Sequence, residues 1–236
     1  MSRPALPIPP VLAFAARDGA SWGVAAGGDP ARVALGRTDA GGPADVAPGE
    51  LRRGTCGQWE VRRNGEAVAA VEQPADATGE NPDQGLSLVQ VAGPAEGAGI
   101  AYAGQPDAQA DSARILFAWF PEDRTIALLA VRPAKAKGQD RDELAVSCLG
   151  EPPGNHVFDP RLSSTYGGDG LLRRVGVELW LGESEESDLR PLRVAGEGSR
   201  AVARLDLEDA VVQAQPFLAH SRGQSGIGVY VLITRP

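Results

Sequence analysis

The amino-acid sequence predicts an all-β protein built from two packed antiparallel halves, each a barrel or a sandwich. Short segments alternate apolar and polar residues with a period of two, the pattern of a half-buried strand. No window of ten or more residues shows the period of an amphipathic helix. Gly and Pro, at 30 and 19 of 236 residues, supply turns between short strands. About fourteen strands are expected, with at most one short helical turn at 133–142.

Two hairpins are the clearest local structures. Asn64-Gly65 separates the strand-like segments 58–63 and 66–71, and this dipeptide supplies the two positive φ angles that a type I′ turn needs. A second hairpin is expected within 114–132, around a turn at 121–124. Its two strands are apolar on both faces, so we expect them at the centre of a sheet or at the contact between the halves.

A polar stretch of small residues, Gly104–Ser112, is the best candidate for the boundary between the halves. It overlaps a loop expected at 103–111. We therefore predict an N-terminal half at 1–106 and a C-terminal half at 107–236, either as separate units or as one compact body.

One repeated spacing of arginine and tryptophan, which we call the echo, bears on how the halves are related. Arg53 precedes Trp59 by six residues, and Arg174 precedes Trp180 by six. Both arginines end a Leu-Arg-Arg triplet. The echo indicates either a duplicated strand or a coincidence in an Arg-rich chain.

The composition argues against several classes of function. The net charge of −8 disfavours binding to nucleic acid or to an anionic membrane. The chain has no run of 18 apolar residues, so no membrane-spanning helix is expected. An apolar stretch within residues 1–16 is interrupted by four prolines, unlike a secretory signal. We expect a soluble, cytoplasmic protein. Cys56 and Cys148 are either reduced thiols or one disulfide.

No sequence motif predicts a metal or a cofactor. His156 and His220 are the only histidines, and neither belongs to an H-x-H or H-E-x-x-H pattern. Residues 196–201 match G-x-G-x-x-A by letter, but strand-like alternation follows them. A hairpin turn is therefore expected there rather than a dinucleotide site.

The segment Phe158–Gly170 is the most specific-looking stretch, and we expect a long polar loop there. It bears Asp159, Arg161 and Tyr166 as candidates for binding or catalysis, because loops on rigid β scaffolds often carry such residues. His156 with Asp159 could form an oriented general base. The alternative is an ordered connector in which Arg161 pairs with Asp159 and the glycines form a tight turn.

A regular strand is expected at 174–181. Its apolar residues share one face, and Arg174, Glu178 and Trp180 share the other. In a barrel this second face could line a cavity, whereas on a sandwich it would meet solvent.

The stretches 159–166 and 173–180, with the ending 223–233, resemble the C-terminal half of a known family. These are lipocalin-like two-domain proteins related to carotenoid hydratases such as hydroxyneurosporene synthase. The resemblance covers about the last third of the chain and implies two barrel-like halves with a ligand pocket in or between them. Family members act on apolar polyenes, terpenoids or phenolics by hydration or cyclisation. The chain matches no acid motif of the family, so no catalytic residue is carried over.

The leading functional prediction is binding of a small hydrophobic molecule in a β-lined pocket, with Arg161, Arg174 and Trp180 as ligand contacts. One alternative is a lyase, hydratase or cyclase acting on an apolar polyene, terpenoid or phenolic. Its acid would be Asp159 or Glu178, assisted by Tyr166 or His156. The other alternative is a non-catalytic structural or interaction module, and the sequence predicts no oligomeric state.

The enzymatic alternative carries a geometric requirement. Protonation of an alkene needs a carboxylic acid that apolar surroundings keep protonated. Asp159 or Glu178 would therefore have to face an enclosed apolar cavity together with Tyr166 or His156.

Overall fold

The computed structural model describes residues 6–16, 19–27, 30–53, 58–72, 86–92, 97–121, 124–137, 142–149, 157–181 and 191–236. Every regular element in these ranges is a strand, so the all-β prediction is confirmed. The first ten strands are β1 (Leu6–Ile8), β2 (Val11–Ala16), β3 (Ser21–Ala26), β4 (Ala31–Arg37), β5 (Gly42–Pro43), β6 (Asp45–Arg53), β7 (Trp59–Arg63), β8 (Glu66–Glu72), β9 (Leu86–Ala92) and β10 (Gly97–Tyr102). The others are β11 (Gln105–Trp119), β12 (Thr125–Pro133), β13 (Glu143–Leu149), β14 (Val157–Tyr166), β15 (Leu172–Leu181), β16 (Leu192–Gly198), β17 (Ala201–Asp206), β18 (Val211–Ser221) and β19 (Gln224–Thr234).

Eight strands of the N-terminal half form a closed antiparallel barrel in the order β10-β2-β3-β4-β6-β7-β8-β9. Neighbours in the chain are neighbours in the barrel, and β10 closes it against β2. The predicted hairpin at Asn64-Gly65 joins β7 to β8, and both residues have positive φ, 52° and 84°. This turn is confirmed because its geometry depends only on the local dipeptide.

The inside of the closed barrel is filled by its own side chains. The Phe14 ring lies against Gly23, where a Cβ atom would come within 2.4 Å of it. The apolar side chains of Val33, Trp59 and Val61 are buried in the same cluster. Among the described residues, these side chains pack against one another as one core inside the barrel.

The C-terminal half is a curled antiparallel sheet in the order β13-β12-β11-β19-β18-β16-β15-β14. The edge strands β13 and β14 approach each other, but no ladder joins them in the part of the chain that the structure describes. β18 pairs with β16 through Phe217–His220 and with β17 through Val211–Ala214. β16 and β17 thus follow one path, interrupted at Ser199-Arg200, and the hairpin turn predicted at 196–201 is wrong.

Two predicted loops are strands. Residues 105–111 belong to β11, and residues 157–166 form β14, which pairs with β15. The inward positions of β14 are occupied by Pro160, Leu162 and Ser164. This strand therefore lacks the apolar row by which a strand is recognised in a sequence. The helical turn predicted at 133–142 lies partly outside the described residues; β12 runs to Pro133, and a single turn follows in which the Ala136 N–H donates to the carbonyl oxygen of Pro133 at 3.0 Å.

The two halves pack through the outer faces of their sheets. Ile115 and Phe117 on β11 face the closed barrel, while Leu116 and Ala118 face the interior of the C-terminal sheet. The prediction of a central strand or a contact between halves is therefore confirmed for this strand, which satisfies both. β1 precedes the barrel in the chain but pairs with β11, and the residue boundary between the halves stays a prediction.

The arginine–tryptophan echo does not reflect a duplicated strand. Arg53 and Trp59 are partners across the β6–β7 hairpin, whereas Arg174 and Trp180 lie on the single strand β15. Trp59 is buried inside the barrel, and Trp180 lies on the outer face of its sheet. The equal spacing is a coincidence.

Neither the cysteine pairing nor the predicted cellular location is decided by the fold. Cys56 lies outside the described residues, and only the backbone of Cys148 is described, in β13. The described ranges contain no apolar helix of the length that crossing a bilayer requires.

Phe117→Ala tests the packing between the halves. Phe117 is fully buried in the shared core, so its truncation should lower the free energy of unfolding by about 3–5 kcal/mol in chemical denaturation. Leu218→Ala, at a side chain that is 54% exposed, should change it by about 0.5 kcal/mol or less. Equal effects of the two variants would contradict the packing described.

Alkaline pH should destabilise the protein through Tyr102, which is buried in the same core. Burial raises the pKa of Tyr102 from 10.0 to about 12. The contribution of this tyrosine is fully present below the unfolded pKa of 10.0 and is lost as the pH rises toward about 12. Denaturation midpoints measured across this window should fall, and Tyr102→Phe should make that fall shallower. An unchanged slope in the variant would refute the assignment.

Candidate functional site

Two arginines lie on the inward face of the C-terminal sheet, at one end. Arg114 precedes Leu116 on β11, and Arg132 follows Ala130 on β12. The two strands pair so that Arg114 is opposite Ala130 and Ser112 is opposite Arg132. Because inward positions recur every second residue, both guanidinium groups lie at the rim of an otherwise apolar interior.

Asp142 joins the two arginines. Its carboxylate accepts a close hydrogen bond from Arg114 Nη2 and a second one, at 3.3 Å, from Arg132 Nη1. The side chain of Asp142 is only 10% exposed, against 20% for Arg114 and 24% for Arg132. Burial acts to lower the pKa of Arg114, but Tyr230 and Asp142 outweigh it, and the pKa is raised above its usual value. The Arg114 guanidinium therefore stays charged.

Two tyrosines complete this cluster. The hydroxyl oxygens of Tyr166 and Tyr230 are 2.6 Å apart, and their rings meet edge to face with centroids 6.4 Å apart. Ser164 connects them to the arginines, since Arg114 Nη1 donates to Ser164 Oγ at 3.0 Å and Ser164 Oγ donates to Tyr166 at 3.3 Å. Burial raises the pKa of Tyr230 far above its usual 10.0, so this phenol is un-ionised at neutral pH. We call these six residues, Arg114, Arg132, Asp142, Ser164, Tyr166 and Tyr230, the rim cluster.

Five of the six residues of the rim cluster, all except Tyr230, line an open cleft of about 1110 Å³. The other lining residues come from the middle of β11, from the end of β19 and from the turn after β14; they are Asp111, Ser112, Gly170, Leu232, Thr234 and Arg235. Tyr230 is 2% exposed and also packs in the apolar core of the sheet. The described lining of the cleft is therefore mainly polar, and it meets the apolar core of the sheet at Leu232, which packs against that core.

A second concavity lies at the opposite end of the same sheet. It measures about 430 Å³ and is mainly apolar. Its walls include Trp119, Phe120, Leu218 and Ile227. It has no charged side chain among its described lining residues, so it offers little to orient a ligand.

Most of the residues singled out from the sequence form a different group, on the outer face of β14 and β15. Arg161 Nη2 donates to Asp159 at 2.6 Å, and the Arg161 guanidinium lies 5.6 Å from the centre of the Trp180 ring. Glu178 accepts a hydrogen bond from Arg193 Nε at 3.0 Å. The pairing of Arg161 with Asp159 matches the connector alternative in its contacts, although the backbone is a strand.

Of the remaining predicted residues, only Tyr166 lies in the cleft. Arg174 is exposed on the outer face of β15, and His156 lies outside the described residues. The side chains of Asp159 and Glu178 are 27% and 35% exposed and each pairs with an arginine. Both lie on the outer face of the sheet, so neither residue faces the enclosed apolar cavity that the enzymatic alternative requires.

Sequence analysis missed Arg114, Arg132, Asp142, Ser164 and Tyr230. A signal for the arginines existed, because each lies at an even offset from inward apolar residues of its strand. Asp142 had no such signal, since it precedes β13 and meets the arginines only through the folding of the sheet. The described residues contain no group of three or more His, Cys, Asp or Glu side chains that could hold a metal ion.

Asp142→Asn tests the buried ion pairs of the rim cluster. Loss of the carboxylate leaves two partly buried guanidinium groups facing each other, which should lower the free energy of unfolding by on the order of 3 kcal/mol. The matched control is Asp206→Asn, whose pair with Arg204 is exposed at 67% and 61%; that change should cost less than about 1 kcal/mol. Equal losses in chemical denaturation would contradict a structural role for Asp142.

Comparisons with known proteins identify the fold and not a family. No family model matches the chain, and no curated protein sequence matches it. Kievitone hydratase from Nectria haematococca has a similar structure, with a TM-score of 0.55 and 11% identity over 99% of this chain and 91% of that one. A Nitrosomonas europaea protein with a provisional assignment as AttH gives a TM-score of 0.54 and 10% identity, over 98% and 93% of the two chains. The predicted resemblance to lipocalin-like hydratase relatives is confirmed at the level of the fold.

Proposed function

We propose that the protein binds a small, largely apolar organic molecule in the cleft bordered by the rim cluster. The observation that carries the proposal is the convergence of charged and hydroxyl groups on the inward face of a curled sheet, directly beside its apolar core. The apolar part of the ligand would lie against residues such as Leu232, and its polar end would meet the arginines and tyrosines. The sequence predicted a hydrophobic ligand, and the ligand proposed for this cleft is amphipathic.

Physical cost supports a ligand-binding role for the cluster. Charged groups removed from water cost free energy, and apolar residues in their place would be at least as stabilising. Arg114 and Arg132 nevertheless occupy inward positions that an all-apolar interior would fill with leucine or valine. Polar groups that converge in a concave site typically fix the orientation of a ligand.

A second candidate function is a lyase of the hydratase type. It is favoured by the fold shared with kievitone hydratase and by the hydroxyl of Tyr166, which lines the cleft and is hydrogen-bonded to the buried hydroxyl of Tyr230. In this function the phenolic O–H groups would orient the alkene and the attacking water, and the water would supply both the hydroxyl group and the proton that are added. Mass spectrometry of candidate alkenes incubated with the protein should then show the addition of one water. Unchanged mass for every compound that binds would contradict this candidate.

Ligand binding is tested by a thermal-shift screen of terpenoids, phenolics, polyenes and fatty acids. A ligand at one hundred times its Kd stabilises the folded protein by about 2.7 kcal/mol. Tyr166→Ala should weaken the binding of any hit by tenfold or more, because it opens the polar wall of the cleft. Tyr166 is 41% exposed, so the variant should fold.

The matched control for this screen is Leu218→Ala, at the opposite end of the sheet. It should leave binding unchanged if the ligand lies in the cleft. A hit that responds to Leu218→Ala and not to Tyr166→Ala would place the ligand in the apolar concavity instead. Failure of every compound class to stabilise the protein would count against a ligand-binding function altogether.

A further inference from the structure

We infer that the polar end of the ligand is a singly charged carboxylate, held by the arginines of the cleft. This inference rests on the proposed function and names the chemical class of its ligand. It is carried by the charge balance of the cleft, by the donors that its arginines have left, and by the hydroxyls beside them.

The charge balance of the cleft favours one negative charge. Its described lining carries three cations, Arg114, Arg132 and Arg235, and two carboxylates, Asp111 and Asp142. The formal sum is 3 − 2 = +1, in a protein whose overall charge is −8. A monoanion would neutralise this local excess, whereas a neutral ligand would leave it and a dianion would reverse it. Because these groups are partly buried, an uncompensated charge is costly there.

The arginines retain donors for an incoming anion. A guanidinium group has five N–H donors, and Arg114 uses two of its own, one to Ser164 and one to Asp142. Arg235 donates from Nη2 to the carbonyl oxygen of Ala110 at 2.9 Å. A planar guanidinium fork fits a carboxylate better than it fits a single hydroxyl oxygen.

Tyr166 adds a neutral donor to the same site. The pKa of Tyr230 is raised by burial, so its hydroxyl keeps its proton and can donate to the hydroxyl of Tyr166, 2.6 Å away. Tyr166 lines the cleft, and its own O–H can then donate to an anion there without adding negative charge. Asp142 already compensates one of the two arginines it bridges, which leaves room for one further carboxylate and not for two.

Matched ligands test this inference by isothermal titration calorimetry on the full chain. Decanoate and 1-decanol share a chain and differ in charge, and 4-phenylbutanoate and 4-phenylbutan-1-ol form an aromatic pair. Each carboxylate should bind at least tenfold more tightly than its alcohol at neutral pH. Decyl phosphate, a dianion, should bind more weakly than decanoate.

Variants connect the charge preference to the cleft. Arg114→Gln should reduce the preference for carboxylate over alcohol to less than threefold, while Arg204→Gln, at an exposed pair on β17, should retain it. Circular dichroism confirms folding of each variant; if Arg114→Gln does not fold, Arg132→Gln takes its place with the same expected result.

Each remaining outcome overturns a distinct claim. If an alcohol binds as tightly as its carboxylate, or if only a neutral compound of the screen binds, the carboxylate inference is wrong and the proposed function stands. Tighter binding of decyl phosphate than of decanoate refutes the charge count. If neither the carboxylates, the alcohols nor any compound of the screen binds, the proposed function itself fails.

Discussion

Burial of the central strands on both faces is the constraint on which the rest of the structure depends. β11 sends Ile115 and Phe117 toward the closed barrel and Leu116 and Ala118 toward the interior of its own sheet. A strand buried on both sides cannot lie at a surface, so each half must supply a cover for it. The closed barrel covers one side, and the curling of the C-terminal sheet covers the other. The packing between the halves and the curvature of the C-terminal sheet therefore both follow from the two apolar rows of side chains on β11.

The candidate site follows from where these rows end. Inward-facing strand positions that other strands enclose carry apolar side chains. Polar side chains can be accommodated at such positions only near the open end of the sheet. Arg114 and Arg132 lie at that end, near Tyr230, which packs in the apolar core and bonds through its hydroxyl to Tyr166 of the polar wall. Asp142 keeps the two cations close together at modest electrostatic cost. The site thus lies at the edge of the core, where polar side chains replace apolar ones on strands that the core already holds rigid.

The two halves are built from similar strands but differ in whether the sheet closes. In the closed barrel, the Phe14 ring fills the space that Gly23 leaves, and strand pairing is complete around the circle. In the C-terminal sheet the path ends at β13 and β14, which do not pair within the described ranges, and a cleft remains beside them. Similar structures at 10–11% identity share this architecture. The architecture alone does not specify chemistry, which depends on the side chains of the cleft.

Local patterns determined the strand content, the Asn64-Gly65 turn, the two-sided burial of β11 and the face shared by Arg174, Glu178 and Trp180, because alternation and turn conformation act over a few residues. They failed for β14, whose inward row mixes proline, leucine and serine, and for the break between β16 and β17. Whether a polar face lines a cavity depends on which way a sheet curls, and no single strand encodes that direction. Only the tertiary structure therefore placed Glu178 outside, beside Arg193, and brought Asp142 to Arg114 across 28 residues of chain.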